Sequence, residues 1–275
     1  MLNNILVIPD QDIDQLAAME KARTVALDDT RIAVLGFVPA SAATDDKRNA
    51  LQKAVDTHFS DCASATCDVV ATDDIAGYCR QYCADNPTDL VIKTGNRSES
   101  LFYTPLDWQL LRQLNSPVFI STLKKWRSRP TVMATIDVES KEPHQIAMNK
   151  KVILWSQEWA QKHNCELHVA CCISVQKALA ELDIVTKDEV EAKKAKDIEA
   201  KLHTFLKDNA IEYSGIRLKA GEVPRVLPSL ADKLKADLVV IGSIGRKGLK
   251  GALLGNTAEK TMHKLRTDIA VIHPD

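Results

Sequence analysis

The chain has 275 residues, 45% hydrophobic and 27% charged, a balance that lets it bury real cores without disulfides or metals. Its 36 basic and 37 acidic side chains leave a net charge of −1, which excludes a global field recruiting nucleic acid or an anionic membrane. No apolar run reaches the roughly 20 residues of a membrane helix. The opening MLNNILVIPD has no secretory pattern and the seven cysteines are an odd number, so the expectation is a cytoplasmic protein with free thiols.

In chain order, short runs rich in Val, Ile and Leu predict strands at 5–9, 31–38, 66–71, 89–93 and 117–121. A second series follows at 131–136, 166–171, 212–219, 237–242 and 268–273. Most lack clean polar alternation, the pattern of strands buried on both faces of a parallel sheet. The segments between them carry helical stripes: Val152, Trp155 and Trp159; Ile198, Leu202 and Phe205; Val223, Val226, Leu230 and Leu234. Thr186 and Glu189 have capping-box spacing at the head of a long charged helix. Strand–helix alternation run through twice predicts an α/β chain of two tandem, doubly wound, parallel five-stranded sheets.

The halves share local phrases. Asp89-Leu-Val-Ile92 parallels Asp237-Leu-Val-Val240, and the run from Thr104 to Arg112 parallels the helix expected over 256–266. This reads as an internal duplication. The boundary falls at 121–129, where Lys124, Lys125, Arg127 and Arg129 form a polar linker whose charges need no partner.

The most informative segment is 242–257. Five of the ten glycines, Gly242, Gly245, Gly248, Gly251 and Gly255, fall there, with Arg246, Lys247 and Lys250 and no acid before Ala258. Glycine lets a ligand approach the backbone closely. The segment leaves a strand's carboxyl end, where open α/β sheets bind ligands, and enters a helix whose first turn presents amides to anions. Asn256 and Glu259 have N-cap and N3 spacing. Neither G-x-x-x-x-G-K-[ST] nor G-x-G-x-x-G is present, which argues against a P-loop or a dinucleotide site. A glycine-rich turn that merely joins strand to helix is the competing reading.

At this loop the sequence resembles the universal stress protein family, whose nucleotide motif is G-x2-G-x9-G-[S/T]. Gly242, Gly245 and Gly255 hold the three glycine positions, Asn256 stands where Ser or Thr is usual, and Thr257 follows. The resemblance covers essentially the whole chain as two tandem domains. It implies a fold of the adenine nucleotide alpha hydrolase-like kind, with an N-terminal domain over 1–122 whose nucleotide loop is degenerate and a C-terminal domain over 130–275. It further implies that Asp137, at the end of a first strand, contacts the adenosine part. Val169, beside His168, would offer backbone to adenine, and Gly242, Gly245, Gly255, Asn256 and Thr257 would approach ribose and phosphates. The implied ligand is ATP, ADP or AMP, with or without Mg, in a regulatory stress-response protein without efficient turnover. A slow nucleotide hydrolase and a partner-binding scaffold with a vestigial loop stay open as alternatives. Family members pair through their last strands, so an internal pseudo-dimer of the two domains is expected, with a homodimer also open.

Several clusters have bland readings. Cys79 and Cys83 lie at i, i+4 with Cys62, Cys67 and His58 upstream, but no C-x2-C pair supports zinc, and buried small hydrophobes is the preferred role. Adjacent Cys171 and Cys172 point to opposite faces of a strand. His168 is read as packed with one hydrogen bond, and the tryptophans 108, 126, 155 and 159 as core or interface.

Overall fold

The computed structural model describes residues 2–9, 16–62, 64–95, 106–173, 187–243 and 255–274, with the main chain alone over 187–193. The chain divides into two compact units, one built on Met1–Lys124 and the other on Lys125–Leu249 with Leu254–Pro274.

The first unit runs β1 (Asn4–Ile8), α1 (Ala17–Val25), β2 (Arg31–Val38), α2 (Asp45–His58), β3 (Ser64–Ala71), α3 (Ile75–Asp85), β4 (Leu90–Thr94), α4 (Leu106–Gln113) and β5 (Val118–Ser121). Its strands lie side by side in the order β3-β2-β1-β4-β5. The second unit runs β6 (Thr131–Thr135), α5 (Pro143–Lys162), β7 (Glu166–Ile173), α6 (Lys187–Asp208), β8 (Gly215–Ala220), α7 (Val223–Leu234), β9 (Leu238–Gly242), α8 (Asn256–Met262) and β10 (Asp268–Ile272). Its order is β10-β9-β6-β7-β8. Within each unit the neighbouring strands pair in parallel, as helical crossovers require. The α/β class with parallel sheets is therefore as the periodicity predicts.

The unbroken apolar runs are explained by burial. Every residue of β4, β5 and β10 is buried, so alternation has no solvent face to report. The helical stripes centre on buried Val152 and Trp159, Ile198 and Leu202, and Val226 and Leu230, with Trp155, Val223 and Leu234 half-buried at their edges. In α6 the seam runs through Ile198, Leu202 and Leu206, and Phe205 is only half-buried. The Thr186 capping box lies outside the described residues.

One expectation fails at the linker. Arg127 and Arg129 do have partners, because the linker straps the amino ends of the second unit's strands. Arg127 donates through Nε and Nη2 to Asp237 Oδ2 at 3.1 and 2.7 Å, and through Nη2 to the Lys235 carbonyl at 2.6 Å. The Asp237 side chain is fully buried and also accepts the Thr131 amide at 2.9 Å. Trp126 Nε1 donates to Asp268 Oδ2 at 2.6 Å, and Arg129 lies 3.4 Å from Glu166. A carboxylate buried just ahead of β9 demands a cation, and the linker supplies it. Trp126 also packs edge-on against Trp159, which stacks on Trp155, so these tryptophans belong to the packing of the second unit.

Candidate functional site

In the second unit the chain order of the strands reverses between β6 and β9. The carboxyl ends of strands at such a reversal are the place where open α/β sheets bind ligands. A cavity of about 730 Å³ lies there, within the range of small-molecule sites. Its floor comes from Thr135 at the end of β6, Ile136 and Asp137 after it, and Ile241 and Gly242 of β9. One wall is α5, through Gln145, Met148, Asn149 and Val152, whose i, i+3, i+4, i+7 spacing is a single helical face. The opposite wall is Cys172, Gly221, Val223 and Leu227, and Gly255, Asn256 and Thr257 close the end at the head of α8.

Asp137 is exposed at the cavity and its geometry is tightly held. Its Oδ1 accepts the amides of Glu139 and Ser140 at 3.0 and 3.2 Å, an Asx turn that bends the chain away from the sheet. Among the described residues its Oδ2 has no hydrogen-bond partner, leaving a carboxylate oxygen available to a hydroxyl or amine donor. Gly242 is required by packing. A Cβ there would stand 2.4 Å from Met148 Cγ and 3.2 Å from Val152 Cγ2, so glycine lets α5 close on the strand. The cavity wall carries the carboxylates Asp137 and Glu139 and, among the described residues, no lysine, arginine or histidine. Lys194 reaches Glu139 at 3.3 Å from α6.

Five of the residues singled out in the sequence line this one cavity: Asp137, Gly242, Gly255, Asn256 and Thr257. Val169 does not. It is completely buried in mid-β7, paired with Ala134 and Ile216, and the carboxyl end of that strand brings Cys172 to the cavity instead. Strand β7 continues to Ile173, so Val169 sits about 10 Å short of the rim that Cys172 reaches. The predicted cap is displaced as well. Gly255, with φ −71° and ψ 144°, is the N-cap of α8, its carbonyl accepts the Glu259 amide at 3.0 Å, and Asn256 is already helical with no side-chain cap. Gly245 lies outside the described residues.

The sequence reading passed over Gly221, Gln145 and Asn149. Gly221 holds φ +142°, a conformation open to glycine, and turns the chain from β8 into α7. Its carbonyl accepts the Cys172 thiol at 3.0 Å, and burial pushes that thiol up to about 12, so it is a neutral wall group. Gln145 and Asn149 are polar residues on an otherwise apolar face of α5, and that break in the stripe was the available signal.

The remaining candidates fall elsewhere. His168 packs over Gly215 of β8, burial lowers its pKa, and its Nε2 lies 3.7 Å from Glu166. Burial pushes the Cys79 thiol up to about 12, and among the described residues no three His, Cys, Asp or Glu side chains group to hold a metal ion. No helix among the described residues is long and apolar enough to cross a membrane.

Comparison with known proteins relates part of the chain to a family. Residues 147–273 match the model of the Universal stress protein family. The chain is 32% identical over 197 residues to Universal stress protein E of Salmonella typhi and to that of Escherichia coli K12, covering 68% of this chain and 61% of each relative. It thus spans less than two thirds of the length of those relatives. Among solved structures, it superposes with a TM-score of 0.75 on a protein of unknown function from Pseudomonas aeruginosa PAO1, at 23% identity, covering 100% of this chain and 93% of that one. A universal stress protein from Archaeoglobus fulgidus DSM 4304 matches with a TM-score of 0.66 at 12% identity, covering 99% of both chains, which speaks to fold alone. With its parallel α/β units and these sequence matches, the chain carries a Universal stress protein family domain over residues 147–273 and is similar to Universal stress protein E over 197 residues.

Proposed function

We propose that the second unit binds an adenine nucleotide, ATP, ADP or AMP, in the cavity at the carboxyl ends of β6 and β9, and that the protein acts as a cytoplasmic regulatory stress-response protein without efficient turnover. The observation that carries this reading is the meeting of Asp137, Gly242, Gly255, Asn256 and Thr257, distant in sequence, around one cavity at the reversal of strand order. The donor set fits such a ligand. Asp137 offers an acceptor to ribose hydroxyls, and Ile136, Val152 and Leu227 offer apolar surface to a purine. Asn256 and Thr257 offer side-chain donors to phosphate oxygens. The carboxylates of the wall are a poor match for phosphates by themselves, so the compensating charge is assigned to Arg246, Lys247 and Lys250 of the glycine segment.

The same inventory disfavours rapid hydrolysis. Among the described residues, no histidine or lysine lines the cavity as a general base, one oxygen of Asp137 is already committed to its turn, and Glu139 is held by Lys194 at 3.3 Å.

Calorimetry on the ligand-free protein is the direct test. We expect binding of ATP, ADP or AMP with a stoichiometry of one per chain. Asp137→Ala should weaken it about tenfold, the loss of one or two hydrogen bonds to a charged acceptor. Absence of binding by all three nucleotides, or unchanged affinity in Asp137→Ala, would overturn the assignment.

A further inference from the structure

The chain leaves the sheet just before Asp137, where the Ile136 amide donates to the Ala170 carbonyl at 3.1 Å. Beyond this point no strand holds the chain. A side chain does so instead. Asn149 of α5, 3% exposed, accepts the Asp137 amide through Oδ1 at 3.0 Å and donates from Nδ2 to the Asp137 carbonyl at 2.6 Å. One carboxamide thereby satisfies both backbone groups of a single residue, as a neighbouring strand would. Gln145, one turn earlier on α5, donates from Nε2 to the same Asn149 Oδ1 at 2.9 Å and fixes the orientation of the amide.

A buried carboxamide on an apolar helical face is costly unless its hydrogen bonds are made, and Asn149 makes three. Its neighbours on that face, Met148 and Val152, are the residues against which Gly242 closes. The amide is thus rigidly seated, and it locks the backbone whose side chain Oδ1 then builds the turn through Glu139 and Ser140. Without it, Asp137 keeps its turn but loses its anchorage to the fold.

The geometry points to Asn149 as a positioning residue, seated by Gln145, that sets the Asp137 carboxylate for the ligand through its two hydrogen bonds to the Asp137 main chain. This rests on the nucleotide reading of the cavity. It makes α5 a determinant of affinity through hydrogen bonds to the main chain.

A double-mutant cycle on the full chain tests it, with ATP as the probe. Asn149→Leu keeps the volume and removes the amide. It should weaken ATP about tenfold in the native background and less than about twofold when Asp137 is already alanine, because the two residues act as one unit. Gln145→Ala, which spares the buried amide, should weaken ATP about threefold and serves where the leucine variant does not fold. In the ligand-free protein, Asn149→Leu should speed hydrogen exchange of the Asp137 amide at least about tenfold and leave the β6 amides unchanged. A general loss of structure would speed all of them alike. Equal weakening in both Asp137 backgrounds, or uniform exchange, overturns the positioning role. If Asp137→Ala weakens ATP and Asn149→Leu does not, the positioning role is wrong and the nucleotide reading stands. If the native protein binds no adenine nucleotide, both are overturned.

Discussion

At the scale of single residues, the glycine segment contains glycines with different duties. Gly242 faces α5 and not open solvent, and a methyl group there meets Met148 Cγ at 2.4 Å and Sδ at 2.8 Å. Methionine is adaptable, so the clash is relieved by moving a flexible chain and not the backbone. Gly242→Ala should therefore cost about 1–2 kcal/mol, the lower range of overpacking. In urea unfolding, combining it with Met148→Ala should cost less than the sum of the two single changes. Strict additivity would show that the glycine serves something other than this contact. The sequence marked Gly242 correctly as exceptional but for a ligand alone. The packing demand depends on where α5 passes, which local sequence does not state.

At the scale of elements, the linker changes most between sequence and structure. Its run of basic residues reads as a solvated tether, yet Arg127 neutralises a carboxylate whose side chain is fully buried. Removing the cation would leave Asp237 buried with its charge much less compensated. Arg127→Ala should lower the unfolding free energy by about 3 kcal/mol, the low end for a broken buried pair because the arginine side chain is itself 44% exposed. A change under about 0.5 kcal/mol would reduce the contact to a surface ion pair. Strands and helices were legible because burial on both faces writes itself into the sequence as unbroken apolar runs. The linker's role was not, since its partners Asp237, Asp268 and Glu166 lie far along the chain. The site divides the same way. Gly255, Asn256 and Thr257 were legible from spacing, whereas Asn149 and Gly221 reach the cavity only through the packing of α5 and the turn after β8.

At the scale of the whole molecule, one buried and one half-buried histidine tie stability to pH. Burial lowers His163 and His273 to about 4, with Lys162 and Lys151 respectively adding to the effect. His273 is 1% exposed and its Nδ1 lies 2.9 Å from Ser243 Oγ, whereas His163 is half-buried against Trp159. Between their folded value and the ordinary 6.5 the unfolded chain binds more protons than the folded one. Their contribution is therefore complete above about pH 6.5 and is lost as pH falls toward 4, at most about 1.4 kcal/mol per pH unit for each histidine. The urea midpoint should fall from pH 7.5 to pH 5.5, and His273→Asn should flatten that slope. A midpoint that does not move with pH would show that these rings take up protons without unfolding.

The sequence by itself determined the alternation of strands and helices and the glycine spacing. These are local or periodic properties, set by which residues must be buried and where the chain must turn. Only the tertiary structure decided that Val169 falls short of the cavity, that Gly255 and not Asn256 caps α8, and that Asn149 anchors Asp137. Each depends on strand register or helix seating, which arise from contacts between residues far apart in the chain.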